Sequence, residues 1–412
     1  MINFKHLACI SILLTIMANP VHAGGIYLVE LGTPISVGTA GVGNVTNTTG
    51  ADSVFTNPAG MTGIKGDQFV VGSQVVLPTT RFDSDSGSTA GGSDGGNAGF
   101  VSAIPSAFYV KSLEDDWRIG ISLTAQLGGG LDYGEDFVGR YSANKSVLSG
   151  YGISPAVAYR INDKFSIGAG LSFIYTDLDL DININRPGPM ANDGYAVFDE
   201  LTDWSFQGYL GLTYQASDRL TLGAVYRSEA DADLEGDLHF KNVPPGTMTG
   251  DGAIDYTYPQ MIRVGFKYQL TRDTLLMADF DWEEWSEFGA TRVGINNNTV
   301  GTFDRNWDDT WHIGVAVAHL LSKGQHISAG VSYDSSPVDD QYRTADLPAD
   351  EQVRLSASYG NEISEKLSFA LGGTYLWLGD GKMDQVAQGE RYVGEFSTNN
   401  IIFLSATLRY EF

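Results

Sequence analysis

From about residue 67 to the terminus, apolar and polar side chains alternate in short runs. The last run is the clearest: Ile402, Leu404, Ala406, Leu408, Tyr410 and Phe412 share one face, and Ser405, Thr407, Arg409 and Glu411 share the other. Runs of this kind predict about 14 strands. They lie near 67–80, 101–113, 116–132, 148–162, 164–185, 201–216, 219–238, 253–271, 273–289, 304–321, 325–336, 351–363, 366–380 and 397–412. Short polar connections (Glu114-Asp115, Asn162-Asp163, Ser217-Asp218, Arg272-Asp273, Ser322-Lys323-Gly324, Ser364-Glu365) take turns with long loops at 81–100, 133–147, 186–200, 239–252, 290–303, 337–350 and 381–396. Short turns on one side and long loops on the other describe an all-β, antiparallel, transmembrane barrel of even strand number, with the long loops outside the cell. A terminal Phe preceded by apolar residues at every second position is the pattern of an outer-membrane assembly signal, which implies contact with the barrel assembly machinery. The alternative is an amphipathic strand of a soluble sandwich.

The beginning of the chain follows a different pattern. Lys5, an apolar run from Leu7 to Ala18 and the small-residue site Val21-His22-Ala23 predict a signal peptide at 1–23, too short to span a bilayer as a helix. Residues 24–65 are Gly- and Thr-rich without sustained alternation and predict a compact plug, or hatch, inside the lumen. Residues 66–412 then form the barrel wall. The expected location is the Gram-negative outer membrane, as a monomer in contact with lipid and lipopolysaccharide.

Composition fits this division. Mean hydropathy is −0.10, as alternation requires when lipid-facing and lumen-facing residues average out. The 50 Gly, 20 Tyr and 20 Phe suit strands and turns. The net charge of −25 excludes nucleic acid as a natural partner. The one cysteine, Cys9, falls in the leader, so the mature chain has neither disulfide nor thiolate chemistry.

Candidate chemistry is sparse. Asp177, Asp179, Asp181, Asn183 and Asn185 alternate with Leu178, Leu180, Ile182 and Ile184. Glu229, Asp231, Asp233, Glu235 and Asp237 alternate with small or apolar residues. Each acidic set shares a strand face, read as lumen or rim; the face is either solvated or, at Asp231, Asp233 and Glu235, a Ca²⁺ site. Trp282-Glu283-Glu284-Trp285 offers paired carboxylates, but its aromatics fit a membrane-interface girdle. His239, His312, His319 and His326 lack ligand spacing, so no metal is expected. There is neither a Gly-x-Ser-x-Gly elbow nor a phosphate loop, and no enzyme activity or cofactor is implied.

Asn57-Pro58-Ala59-Gly60 reads as a tight, rigid turn: Pro58 fixes φ, Asn57 is pushed toward extended geometry and Gly60 permits positive φ. With Gly25–Gly32, Ser36–Gly43 and Asp52–Met61 around it, this motif resembles the hatch of the long-chain fatty acid and aromatic-hydrocarbon transporter family. Tyr226-Arg227-Ser228-Glu229, Trp282 through Phe288, and Tyr333 through Val338 followed by Leu347-Pro348 resemble further blocks of the same family. The resemblance implies passive uptake of a hydrophobic small molecule by hatch rearrangement and exit through a lateral opening, where the third strand kinks inward beside Asn57-Pro58-Ala59. Gly120 is the expected kink. Apolar capture is expected from residues in or near the long loops, including Phe100, Ile104, Phe108, Phe137, Val138, Met190, Tyr195, Val197, Phe198 and Met248, with Arg186 and Arg305 as cations for a carboxylate. Fatty acid, monoaromatic or alkane hydrocarbon all remain open as substrate, as does an adhesin or receptor barrel whose loops bind a surface, or an outer-membrane lipid hydrolase.

Overall fold

In the computed structural model, residues 25–186, 192–244, 250–296 and 298–412 are described. The leader at 1–23, Met190 and Met248 lie outside them. Fourteen antiparallel wall strands close into a barrel. They are β1 Gln68–Ser84, β2 Ser102–Ser112, β3 Trp117–Asp132, β4 Lys145–Arg160, β5 Phe165–Ile184, β6 Gly194–Ser217, β7 in two pieces (Leu220–Arg227 and Ala230–Lys241), β8 in two pieces (Gly250–Tyr258 and Met261–Thr271), β9 Thr274–Glu283, β10 Thr310–Ser322, β11 Gln325–Asp334, β12 Gln352–Glu362, β13 Leu367–Trp377 and β14 Glu390–Glu411. Closure is made by β14 on β1, paired from Gln68↔Glu411 to Ser84↔Gly394. Closure removes the two free end strands that an open sheet would present to hydrocarbon.

The period-two pattern sorts side chains as lipid requires. Ile121, Val157, Leu171, Leu210, Val315, Leu355, Leu404 and many like them are exposed on the outer face, a belt that only an apolar solvent tolerates. Aromatic pairs border the belt at both ends: Trp117–Tyr159 and Phe165–Tyr214 at the short-turn end, Tyr175–Trp204 and Trp311–Tyr333 at the other. Phe165 and Tyr175 lie on the same strand, and ten residues of tilted β-rise give about 25 Å, the height of an outer-membrane apolar band.

Beyond the upper aromatics the wall continues into water. Two segments read from sequence as loops are strands there: Ala290–Ile295 with Asn298–Asp304, and Met383–Ala387 paired on β14. The first hairpin docks on upper β8, a tertiary pairing that local pattern does not encode. On this extension the second acidic set points outward, which corrects the lumen-or-rim expectation for it: Asp231, Asp233, Glu235 and Asp237 are exposed, whereas Ala230, Ala232, Leu234 and Leu238 are buried. The lumen here is apolar, and carboxylates keep their water only on the outer face. Asp177, two residues above Tyr175, has its pKa pushed up to about 6 by partial burial and by neighbouring Asp179, Glu200 and Asp199.

Residues 28–64 fill the lower half of the lumen, buried almost throughout. They form short helices at Pro34–Gly38, Asn44–Thr46, Ser53–Thr56 and Pro58–Gly63. Irregular backbone inside a barrel needs partners it cannot supply itself. The wall supplies them. Gln74 Nε2 donates to Glu30 O (2.5 Å), Ser106 Oγ to Leu31 O (2.6 Å), Thr407 Oγ1 to Gly32 O (2.6 Å), Tyr209 OH to Val54 O (2.9 Å) and Arg118 Nη2 to Ile64 O (3.0 Å). Inward glycines give room for the approach. A Cβ on Gly168 would lie 2.6 Å from Ala59 N, and one on Gly211 2.8 Å from Pro58 Cδ.

Candidate functional site

The upper lumen is built by inward positions of the extended strands. Leu148 of β4, Ile174 and Leu178 of β5, Phe198 and Leu201 of β6, Ala232, Leu234 and Leu238 of β7 and Ile254, Tyr256 and Tyr258 of β8 form one buried apolar cluster. Trp285, Phe288, Trp307, Val338 and Leu347 join it from the connections. Tyr256, Phe288 and Trp307 stack at centroid distances of 4.9 and 5.2 Å. Of the two tryptophans assigned to a girdle, Trp282 pairs with Trp311 in the wall, but Trp285 turns inward, its Nε1–H on Glu283 Oε2 (2.6 Å).

The wall is interrupted beside this cluster. β2 and β3 pair only from Ala107↔Leu123 down to Ser112↔Arg118. Above Leu123, β3 leaves β2, loses its alternation and is buried from Thr124 to Leu131, with a register shift between Ala125 and Leu127. There it pairs instead with the short strand Gly25–Tyr27. The seam closes again at its top, where Asp132 N donates to Ala98 O (2.9 Å). Leu28 packs between the parted strands with Val76, Ile104, Ala125 and Phe403. The bend is therefore four residues above Gly120, whose ladder to Val110 and Ala156 is unbroken. Gly120 is instead a clearance position: a Cβ there would overlap Val54 and lie 2.8 Å from Met61 Sδ. The sequence signal of the bend is Thr124-Ala125-Gln126-Leu127, where small and polar residues break period two.

Asn57-Pro58-Ala59-Gly60 lies against β5 and β6, two to three strands along the wall from β3, and the next residue of the same helix, Met61, reaches Gly120 of β3. Asn57 caps the helix Pro58–Gly63, accepting from Ala59 N (3.2 Å), and its Nδ2 donates to Val45 O (2.7 Å) and Leu212 O (3.1 Å). Gly60 does not adopt positive φ; a Cβ there would overlap Asn47 O.

The predicted capture residues scatter. Phe198 lines the upper lumen. Phe108 is buried lower down, with Phe55, Met61 and Val70 around the N-terminal segment. Phe137 belongs to a loop cluster with Phe82, Tyr133 and Phe396. Phe100 is half-buried just before β2. Tyr195 faces away from the lumen and donates to Glu135 Oε2 (3.1 Å). Arg186 is on the rim, bonded to Asn242. Arg305 does stand beside the upper lumen, but Asp346 (2.5 Å) and Thr344 (2.9 Å) occupy it. Burial raises the Asp346 carboxyl, and the Arg305 guanidinium more than offsets this, leaving its pKa below the ordinary range. The cation that sequence reading missed is Arg227. It is buried at the floor of the upper lumen, stacked over Phe55 (4.1 Å) and Tyr209 (4.5 Å) and hydrogen-bonded to Phe55 O. Its Nη1 has no partner among the described residues. Arg227 and Arg263 line a small cavity of about 30 Å³ with Leu28, Val29 and Leu31. Below the N-terminal segment, a cavity of about 420 Å³ reaches the short-turn side past Pro34, Asp52, His319 and Arg409.

A closed outer-membrane barrel with a polar, filled lower lumen and an apolar upper lumen defines a transporter of hydrophobic substrates rather than a water-filled porin. Residues 14–412 match the family described as outer membrane protein transport protein (OMPP1/FadL/TodX), and the chain belongs to it. It is 22% identical over 360 residues to the long-chain fatty acid transport protein of Escherichia coli O6:H1, covering 79% of this chain and 81% of that protein. It is 21% identical to outer membrane protein P1 of Haemophilus influenzae, covering 87% of each. Among solved structures, a Pseudomonas aeruginosa FadL homologue superimposes with a TM-score of 0.86 at 20% identity, over 94% of this chain and all (100%) of that one. The Ralstonia pickettii toluene transporter TbuX gives 0.70 at 19% identity, over 93% and 99%. Members of this family are transporters, not enzymes.

Proposed function

We propose that the protein takes up long-chain fatty acids, and that they leave sideways through the seam between β2 and β3 while most of the N-terminal segment stays in place. The observation that carries the lateral route is the unzipping of β3 from β2 above Leu123, filled by Leu28 and strand Gly25–Tyr27. Each methylene kept out of water is worth about 0.8 kcal/mol, so an acyl chain held in the apolar upper lumen is released most cheaply sideways, into the outer edge of the bilayer, where the seam begins level with Tyr175. Moving Leu28 joins the upper lumen to the seam. Descent to the lower cavity would require breaking the wall's hydrogen bonds to Glu30, Leu31, Gly32 and Val54. Arg227, with one free edge at the lumen floor, supports a carboxylate-bearing substrate.

A disulfide tests the route. Thr62 Oγ1 and Ser166 Oγ lie 2.8 Å apart, so Thr62→Cys with Ser166→Cys can lock the body of the hatch to β5 in a mature chain that has no other cysteine. Uptake of labelled oleate that is equal under oxidising and reducing conditions is expected. Loss on oxidation, restored by reductant, would favour a route down through the hatch. Monoaromatic hydrocarbon uptake is the second reading. Arg227→Met separates the two, because it should lower oleate uptake about tenfold, the worth of one charged hydrogen bond, and leave toluene uptake unchanged.

A further inference from the structure

We propose that the barrel wall carries a divalent metal site made by Asp279, Asp281 and His312, with zinc the best-matched ion. Asp279 and Asp281 are two residues apart on the inner face of β9, and His312 is directly opposite Asp281 on β10. All three are buried, at 5%, 0% and 3% exposure. One donor atom from each lies within 4.8 Å of the others. Asp279 Oδ1 and His312 Nε2 are 3.5 Å apart. Two ligands held tetrahedrally at zinc distances of about 2.0–2.2 Å sit about 3.4 Å from each other, so this pair already has its working separation.

The surroundings orient the imidazole as they would a metal ligand. His312 Nδ1 faces Asp334 Oδ1 at 2.9 Å, and Arg354 holds Asp334 by its other oxygen. A carboxylate on Nδ1 selects the tautomer whose Nε2 lone pair points the other way, as in histidine ligands oriented by an outer carboxylate. Here Nε2 is aimed at Asp279 Oδ1, and either a proton on Nε2 or a metal ion between the two reconciles them. A proton on Nε2 can serve one oxygen. Both Asp279 oxygens, Asp281 Oδ1 and His312 Nε2 are buried without hydrogen-bond partners, and one metal ion would satisfy an oxygen from each carboxylate and the imidazole together. Charge points the same way: Glu30, Asp279, Asp281, Glu283 and Asp334 face the guanidiniums of Arg263 and Arg354, five carboxylates against two fixed cations. Mixed carboxylate and imidazole donors favour zinc or a neighbouring first-row ion over Ca²⁺ or Mg²⁺, which prefer all-oxygen shells.

The site is also connected to the N-terminal segment. His312, Asp334, Arg354 and Glu30 form a continuous chain, with Arg354 Nε on Glu30 Oε1 at 3.1 Å. A metal ion would stiffen the wall end of that tether. The inference is independent of which substrate is carried and of the route by which it leaves.

The test uses the full mature chain, untagged, in detergent, stripped with chelator and titrated with Co²⁺ and then Zn²⁺. One equivalent of Co²⁺ with visible d–d absorption, displaced by one equivalent of Zn²⁺, is expected for the unaltered protein. Asp279→Asn and His312→Gln should abolish the band, and Asp334→Asn should weaken affinity about 10–100-fold. Absence of stoichiometric binding, or equal binding by the ligand variants through exposed histidines such as His239, would overturn the proposal. Should the ligand variants fail to fold, X-ray absorption at the zinc edge of the unaltered protein decides. One imidazole nitrogen with carboxylate oxygens supports the site; two or more imidazoles refute it.

Discussion

The two halves of the lumen share strands β4, β5 and β6 and obey opposite rules. Below, inward positions are Ser106, Ser122, Ser154, Ser166, Thr213, Ser328, Ser358, Thr374 and Thr407, interspersed with Gly168 and Gly211. Above, they are Leu148, Ile174, Leu178, Leu201, Leu234 and Ile254. The difference follows from what fills each half. The lower half holds irregular backbone, which needs hydroxyl donors and close approach. The upper half faces only other side chains, and an apolar surface there can take up an apolar guest. Two adjoining lumens of unlike polarity thus explain how a barrel can bar solutes while holding a hydrophobic molecule above the N-terminal segment, beside the outer edge of the wall's apolar band.

The comparison can be broken at its apolar end. Leu234→Asp places a charge without a partner in the upper lumen and should lower uptake of hydrophobic substrate tenfold or more, while the barrel still shows heat-modifiable gel mobility. Unchanged uptake would mean the upper lumen is not on the path. The roof of the same half rests on Arg343, fully buried and bonded to Asp350 (2.9 Å), Ala349 O (2.7 Å), Lys382 O (2.5 Å) and Val338 O (3.1 Å). Arg343→Met should cost about 3–5 kcal/mol locally and expose the loop at 337–350 to protease within minutes, where the unaltered protein resists. At the polar end, Gly211→Ala brings a methyl into Pro58 and Asn57 at a cost of about 1–3 kcal/mol. Liposome conductance should rise as the N-terminal segment loosens; an unaltered baseline would show that the fit is not tight.

The smallest effect concerns pH. Asp177 has a pKa of about 6 in the folded wall against an ordinary 3.8, so the folded state binds a proton more readily than the unfolded one. Stability at this position is therefore full below about pH 4 and falls as pH rises through 6. Asp177→Asn should slow hydrogen exchange in upper β5 and β6 at pH 7 and leave it unchanged at pH 4.

Much of the architecture was legible because a barrel's instructions are local. Alternation at β14, the polar pair Asn162-Asp163 and the long loop at 133–147 each report their own place in an up-and-down wall, and the strand count follows. The site was less legible. Phe108 and Phe198 are both aromatic and both near loops by sequence, yet one packs on the N-terminal segment and the other lines the upper lumen. Asp233 and Leu234 alternate whichever of them faces inward, since period two fixes that neighbours oppose and not which is inside. His312 lacks any ligand within sequence reach because Asp279 and Asp281 meet it across a β-ladder. Gly120 was a reasonable place for a bend, but a glycine in a strand can equally be there for a neighbour's sake, and Val54 is that neighbour.

By itself the sequence determined that this chain forms a closed wall with short turns on one side, long loops on the other and a non-alternating segment ahead of it, because strand period, turn residues and segment length are properties of consecutive residues. Only the tertiary structure decided the inside face of the acidic strands, the departure of β3 from β2 at Thr124, the free edge of Arg227 and the meeting of Asp279, Asp281 and His312. Each of these depends on register between strands and on what occupies the lumen, and those relations are fixed only when the barrel closes around its own N-terminal segment.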